Sequence, residues 1–166
     1  MKKISVVVFF LTVLFPGLTF AHCVKHKYYA GAGVAINSYD NFDNATGFQL
    51  LGGYCLDFNF NSPKAKTSIE VGYMDSGDFD RSFNRGNTRI TESRSFNGLW
   101  LSPLAEYKFD FKVHLLGRVG LDLGDDDGLL IGAGLGFNIT KFAQLRVEYV
   151  IRDNVNSTQL NLITEF

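Results

Sequence analysis

The sequence FKVHLLGRVGLDL, at residues 111–123, alternates apolar and polar side chains, which is the period of a β-strand with two different faces. The alternation recurs at residues 142–152, and at residues 129–138 glycine occupies most of the second face. Such strands belong to a sheet that separates an apolar environment from a polar one. In the first stretch the apolar face consists of Phe111, Val113, Leu115, Val119, Leu121 and Leu123, and the polar face of Lys112, His114, Arg118 and Asp122.

This pattern predicts eight strands between residues 27 and 166, and turn residues separate them. The predicted strands lie near 27–36, 47–57, 66–76, 92–107, 111–124, 129–138, 142–152 and 157–166. Short connections at 59–64, 108–110 and 138–141 alternate with more polar ones at 37–46, 77–91, 125–128 and 153–156. Turns that alternate between two ends predict an all-β fold, an eight-stranded antiparallel up-and-down barrel.

Glycine and aromatic residues are unusually frequent in the composition. The chain has 17 Gly, and 14% of its residues are aromatic. This combination favours a β protein with tight curvature. Lys and Arg number 16 against 17 Asp and Glu, so the sequence carries no basic surface for nucleic acid.

The N-terminus has the three parts of a secretory signal peptide. Lys2 and Lys3 precede an apolar run at residues 4–14, and Ala21 ends a small-residue cleavage pattern. We predict a signal peptide at 1–21 and one domain at 22–166. His22, which precedes Cys23, argues against lipoprotein processing because that signal needs a small residue there.

Two kinds of barrel fit the alternation: a lipocalin-like cup with apolar residues inside, and a transmembrane barrel with apolar residues outside. The polar face favours the second, because it is rich in glycine and carries few charges, of both signs, whereas a soluble exterior is dense in Lys and Glu. Strand four is ambiguous, since Trp100 and Leu104 share a face with Glu106. Aromatics near strand ends suggest interfacial girdles, and they are Tyr28, Tyr54, Tyr73, Tyr107, Phe111, Phe137, Tyr149 and Phe166.

The order of the motifs resembles the OmpA-like transmembrane domain, including the small OmpX- and opacity-type outer-membrane barrels. The motifs are Tyr28–Gly33, Gly52–Tyr54, Ile69–Tyr73, Leu116–Leu121, Gly132–Phe137, Leu145–Tyr149 and Leu160–Phe166. The last resembles the terminal strand that the outer-membrane barrel assembly machinery recognises, with Leu160, Leu162 and Phe166 as its signal. The sequence departs from the family in ending at the barrel and in carrying two cysteines.

The resemblance implies a bacterial outer-membrane protein without enzymatic activity or cofactor. It would anchor in the membrane and present short loops for structural, adhesion or host-interaction roles, with lipopolysaccharide and a surface ligand as partners. A secreted carrier of a small apolar ligand and a narrow ion-conducting pore are the alternatives.

The polar faces predict a charged network inside the barrel, which fills the lumen. By parity the inward residues are Glu70, Glu106, His114, Arg118, Arg146, Glu148 and Glu165. No residue in this set suggests catalysis. A histidine and a serine on the same face of one strand could form a hydrolytic pair, but the residue two positions after His114 is Leu116. We expect His114 instead to form a hydrogen bond with a carboxylate inside the barrel.

The two cysteines of the mature chain are predicted to meet at the periplasmic end. Cys23 precedes the first strand and Cys55 lies near the end of the second, and the periplasm is oxidising. A disulfide and two unpaired thiols are both compatible with the sequence, while a metal site is disfavoured because no second ligand pair lies nearby.

Two polar connections are candidate surface sites. The run Asp125–Asp127 before Gly128 fits either a solvated hairpin or a weak Ca²⁺ site. The connection at 77–91 fits either a solvated hairpin extension or a surface that binds lipid phosphates through arginine. The candidate arginines lie in the segment from Asp75 to Arg94, which also holds Phe79 and Phe83, and they are Arg81, Arg85, Arg89 and Arg94.

Overall fold

The computed structural model describes residues 27–56, 64–86, 88–109 and 112–166. They form a closed barrel in which each strand pairs antiparallel with the next and β8 returns to β1. The fold class predicted from the sequence is confirmed. The strands are β1 (Tyr28–Tyr39), β2 (Ala45–Leu56), β3 (Ala65–Arg85), β4 (Thr88–Lys108), β5 (Val113–Gly124), β6 (Gly128–Asn138), β7 (Ala143–Ile151) and β8 (Val155–Glu165).

The two faces of the sheet are distributed as in a membrane-spanning barrel. Leu121, Leu123 and Ile131 point outward and are 54%, 61% and 53% exposed, whereas Glu70 and Glu148 point inward and are 0% and 1% exposed. The lipocalin-like alternative is therefore wrong, because its apolar residues would face the interior. Among the described residues, no helix is both long enough and apolar enough to cross a bilayer.

Strands β3 and β4 are longer than the sequence predicted. The connection expected at 77–91 is a hairpin extension whose strands pair from Asp78 and Ser95 to Arg85 and Thr88. The sequence underestimated it because polar residues occupy both faces here, so the apolar alternation that marks a buried strand is lost. We name residues 78–95 the outer hairpin. The barrel end that carries it is the hairpin end, and the opposite end, with Tyr28 and Phe166, is the terminal end.

A β-bulge between Asp75 and Asp78 changes which residues of β3 face inward. Gly77 has a φ of 73°, and its N–H donates to Asp75 Oδ1 at 2.8 Å. After the bulge the odd-numbered residues turn inward, so Phe79 is fully buried. Phe79 packs at the hairpin end with Ala45 and Val155, and with Tyr39, Phe42 and Phe96 at the edge of the cluster.

The ambiguity in strand four is resolved by a glycine on the neighbouring strand. Trp100 and Leu104 both face the lumen and are buried. Gly72 is the cross-strand partner of Trp100, and a Cβ there would lie 2.5 Å from the indole ring. The lumen accommodates a large side chain where the cross-strand partner is glycine. The polarity of the residues along one strand does not reveal this, because it carries no information about the partner strand.

Candidate functional sites in the lumen and the outer hairpin

Four charged side chains form the centre of the lumen. Glu70 Oε2 lies 2.9 Å and Glu148 Oε2 lies 2.6 Å from Arg118 Nη2. Glu70 Oε1 lies 2.6 Å from Arg146 Nη1, so one carboxylate joins both arginines. All four residues are buried. Buried charges persist only when each is paired, and alternating the two signs across three strands meets that condition.

Aromatic rings support the two arginines. The Arg118 guanidinium lies 5.1 Å from the Trp100 ring centre, and that of Arg146 lies 5.3 Å from the Tyr29 ring centre. The Tyr29 hydroxyl also donates to Glu70 Oε1 at 2.6 Å. These contacts hold the ion pairs in one geometry, because planar guanidinium groups stack well on aromatic faces.

Toward the terminal end, the network continues through Glu106 and His114. His114 Nδ1 contacts the Glu106 carboxylate, and Asn138 Nδ2 lies 3.0 Å from His114 Nε2. Arg146 Nε donates to Gln144 Oε1 at 2.6 Å, which connects this layer to the central charges. Glu165, the remaining residue of the predicted network, lines the polar cavity at this mouth of the barrel together with Glu106 and His114.

A second ionic layer near the hairpin end was absent from the predicted network. Arg152 Nε donates to Asp122 Oδ2 at 2.6 Å, and Arg152 Nη1 donates to Ser157 Oγ at 2.8 Å. Ser157 Oγ in turn donates to Asn37 Oδ1 at 2.6 Å. The signal was present in the sequence, since Asp122 and Arg152 occupy the polar faces of their strands. Only the barrel register shows that they meet.

The lumen has the chemistry of a packed polar core. His114, the histidine of the described part of the chain, is buried against Glu106 and Asn138 and points away from the lipid face. Within the described residues, no group of three metal-ligating side chains converges. The paired charges are buried together and fill the central part of the lumen.

The four candidate arginines do not form one cluster. Arg81 and Arg94 lie on the same face of the outer hairpin, and each guanidinium lies 5.9 Å from the Phe42 ring centre. Arg94 also pairs with Glu92 at 3.1 Å. Arg89 is exposed and belongs to the opposite face of the hairpin, as the register shows. Arg85 ends β3 at the tip.

The acidic run after β5 joins neighbouring loops at the hairpin end. Asp126 is buried, and its carboxylate accepts from the backbone N–H groups of Asn154 and Val155 at 2.9 and 3.0 Å. Asp125 Oδ2 accepts from the Asn97 N–H at 3.1 Å. Two of the three carboxylates are thus engaged with protein donors, which favours the structural interpretation of this run over the Ca²⁺ site.

Cys55 points into the terminal end of the lumen and is buried. Its backbone N–H donates to the Lys27 carbonyl at 2.7 Å, which places the chain four residues after Cys23 directly beside it. Cys23 lies outside the described residues, as do the predicted signal peptide and Phe111. The Cys23–Cys55 disulfide therefore stays a prediction.

The sequence pattern of the family described as "outer membrane protein beta-barrel domain" matches residues 7–162. The chain belongs to this family. It is a bacterial outer-membrane barrel. Its long β3–β4 extension indicates that the hairpin end faces the cell exterior and the terminal end the periplasm, because such barrels carry their longer connections outside the cell. None of the curated proteins is similar enough in sequence to count as a match.

Three solved structures show the same fold at low sequence identity. A de novo designed transmembrane β-barrel is 16% identical, with a TM-score of 0.57, and covers 85% of this chain and 96% of its own. The Yersinia pestis outer membrane protein Ail in a nanodisc is 18% identical, with a TM-score of 0.54 and coverage of 86% and 100%. The outer membrane enzyme PagL is 12% identical, with a TM-score of 0.54 and coverage of 83% and 99%.

Proposed function

We propose that this barrel is a non-enzymatic membrane anchor that presents the outer hairpin as a binding surface for attachment to host or other cell surfaces. The observation that supports this proposal is the hairpin itself, which continues β3 and β4 beyond the other strands of the barrel. The fold alone does not indicate the function, because a designed protein and the enzyme PagL have the same barrel fold.

The hairpin is a preorganised surface. The buried Phe79 fixes its base, and the Asp43 N–H donates to the Asp80 carbonyl at 3.0 Å, which ties the β1–β2 loop to it. A binding element that is ordered before contact loses less entropy when its ligand arrives. Arg81 and Arg94 supply two cations on one face, and Phe83 adds an exposed apolar side chain. Such a surface suits an anionic ligand with an apolar part.

Lipopolysaccharide is a second partner that we infer for the hairpin end. Its phosphates surround the exterior end of a barrel in the outer leaflet. Guanidinium groups bind phosphate through paired N–H donors, and Arg89 is exposed on the side of the hairpin away from Phe42.

The test is a shortened hairpin. Residues 82–91 are replaced by Asn-Gly, which joins the cross-strand partners Arg81 and Glu92 through a two-residue turn and leaves Phe79 in place. Bacteria that display the native or the shortened protein are compared for attachment to epithelial monolayers and to immobilised matrix proteins. We expect the native protein to increase attachment over an empty strain and the shortened one to lose that increase.

Matched controls separate binding from assembly. Both proteins must reach the same surface density and show the same heat-dependent gel mobility, because the shortened hairpin keeps the barrel core. Equal attachment by the two strains, or no increase by the native protein, would contradict an adhesive role for the hairpin.

A further inference from the structure

A polar cavity opens at the terminal end of the lumen, on the periplasmic side of the central charges. Residues of β3, β4, β5 and β8 line it, together with the turn between β6 and β7 and the adjoining ends of those strands. Three of the lining residues are lysines. Lys66 and Lys108 are half-buried, and Lys141 is exposed. We name this space the mouth cavity.

The three lysines approach the mouth cavity from two sides. Lys66 and Lys108 stand on the adjacent ends of β3 and β4, which are paired neighbours. Lys141 belongs to the β6–β7 turn. Buried His114 connects the two sides, because it is the cross-strand partner of Lys108 and its Nε2 lies 3.0 Å from Asn138 Nδ2 at the end of β6. A ligand in the cavity therefore meets cations from more than one direction.

The cations of the mouth cavity are less fully neutralised than its carboxylates. Glu106 contacts His114 and lies 3.9 Å from Arg146 Nη2, so its charge is shared with the central network. Among the described residues, no carboxylate oxygen lies within 4 Å of the ammonium group of any of the three lysines. Glu165 is the second carboxylate of the lining, which leaves an excess of positive charge. A cleft with such an excess focuses the electrostatic potential and attracts anions.

The β6–β7 turn adds an uncharged hydrogen-bond donor to the mouth cavity. Thr140 Oγ1 accepts from the N–H groups of Phe142 and Ala143 at 3.1 and 3.0 Å. Because these two bonds use the lone pairs of the oxygen, the hydroxyl proton is left to donate to a ligand. Thr140 and the adjacent Lys141 both line the cavity. An anion with several acceptor oxygens can therefore bind to this turn and to the lysines opposite it.

We propose that the mouth cavity binds a phosphate dianion from the periplasm, either inorganic phosphate or the terminal phosphate of a small ester. Lysine suits this ligand, because its ammonium group binds phosphate as a point charge on a flexible stem. A long polyanion does not fit, because the paired charges fill the lumen immediately beyond the cavity. The site lies at the opposite end of the barrel from the outer hairpin, so the proposal is independent of what the hairpin binds.

The test measures phosphate binding to the protein purified from outer membranes in an uncharged maltoside detergent. Isothermal titration calorimetry follows inorganic phosphate, and amide NMR spectra identify the residues that respond. We expect saturable binding with shifts at Lys66, Lys108, Thr140 and Lys141, and none in the outer hairpin. Sodium chloride at the same ionic strength should not reproduce these shifts. A parallel titration with glycerol phosphate distinguishes the sources, since equal affinity assigns the site to phosphate esters and weaker binding assigns it to the free ion.

Lysine variants identify the site. Lys141→Gln should weaken phosphate binding about two- to fivefold, as expected for the loss of one exposed ion pair. Lys66→Gln/Lys108→Gln/Lys141→Gln should abolish saturable binding, and the matching triple substitution by arginine should retain it because the charges remain. Lys64→Gln removes the same charge from the same end of the barrel but outside the cavity lining, so it should have no effect. Gel mobility before and after heating verifies that each variant is folded.

Three results would overturn the proposal. The first is a native protein without saturable phosphate binding, and the second is a triple glutamine variant that binds phosphate as tightly as the native protein. The third is a Lys64→Gln variant that loses as much affinity as Lys141→Gln, because phosphate would then respond to the overall charge of the terminal end and not to a site in the cavity.

Discussion

Individual lumen residues combine two roles, because each must be paired and must also fit a narrow space. Glu70 contacts Arg118, Arg146 and Tyr29 at 2.6–2.9 Å, so removing any one partner leaves charge or hydrogen-bonding capacity unsatisfied. Glycine on neighbouring strands provides the volume for these side chains, as Gly72 does for Trp100. The interior therefore depends on the match between charge and size at each position.

Arg146→Ala should destabilise the barrel and open its lumen. The substitution removes one cation from Glu70 and leaves a buried carboxylate with fewer partners, at a cost of about 3–5 kcal/mol. We expect a lower urea midpoint and a higher single-channel conductance in planar bilayers, with Arg118→Ala acting in the same direction.

Leu145→Ala is the control for the neighbouring position, since its side chain belongs to the outward face. It should leave conductance unchanged. A native protein that already conducts steadily, with no change in either arginine variant, would show that the ion pairs do not close the lumen.

Gly72→Ala should also destabilise the protein, because the new methyl group would overlap the Trp100 indole. Overpacking of this kind costs about 1–3 kcal/mol. Gly117→Ala is a matched control, as nothing lies within 4 Å of a Cβ there. Urea titrations followed by gel mobility should show a lower midpoint for the first variant only. Equal midpoints would mean that the indole ring can move aside.

At the scale of elements, the connections at the hairpin end are held by side chains of their neighbours and not by their own turns alone. The Asp126 carboxylate joins the β5–β6 turn to the β7–β8 turn, and Asp125 joins it to Asn97 in β4. The bulge at Gly77 similarly places Phe79 beneath the loops. These contacts order the surface from which the outer hairpin projects.

Asp126→Ala should loosen the hairpin end. It removes a charged acceptor from two backbone N–H groups and from the Asn154 amide, a loss of about 2 kcal/mol. Faster hydrogen exchange at Asn154 and Val155 is the expected signature. Asp127→Ala, at an exposed position, should have little effect. Equal exchange in both variants would remove Asp126 from this role.

The predicted disulfide belongs to the terminal end of β1 and β2. Non-reducing gels should show a mobility difference that Cys23→Ser and Cys55→Ser abolish alike. A bond that closes this loop contributes about 4 kcal/mol at most by the chain-entropy relation. Thiols that react with a maleimide in the unfolded, unreduced protein would disprove the bond.

At the scale of the whole molecule, closure of the barrel satisfies the backbone groups of every strand, because β8 pairs with β1 from Tyr29 and Glu165 to Tyr39 and Val155. The eight described strands therefore leave no open sheet edge within the membrane. Closure also sets its final strand beside its first, and the Phe166 N–H donates to the Tyr28 carbonyl at 3.0 Å.

We propose that the assembly machinery recognises this final strand through Leu160, Leu162 and Phe166, which are all exposed on the lipid side. Deleting Phe166 should lower the amount of protein in the outer membrane while export to the periplasm continues. Fractionation followed by immunoblotting measures both. Truncation of the last residue with unchanged outer-membrane yield would remove the support for this signal.

The alternation of residue types was sufficient to predict the strand number and the closed topology, because period 2 is a local property of a strand. It located Glu70, Arg118, Arg146 and Glu148 on inward faces for the same reason. The side of the sheet that meets lipid followed from the composition of the polar face, which is rich in glycine and carries few charges. The alternation did not predict the strands of the outer hairpin. A two-stranded hairpin that is surrounded by water does not need an apolar face, so its sequence lacks the alternation.

Only the tertiary structure decided which inward residues meet. The pairing of Asp122 with Arg152 depends on strands that are far apart in sequence, and its geometry follows from the register of the closed barrel. The inward position of Trp100 depends on the absence of a side chain at Gly72, and that of Phe79 on a one-residue shift at the bulge. Alternation along one strand carries no information about its partner's register, which is why these contacts required the fold.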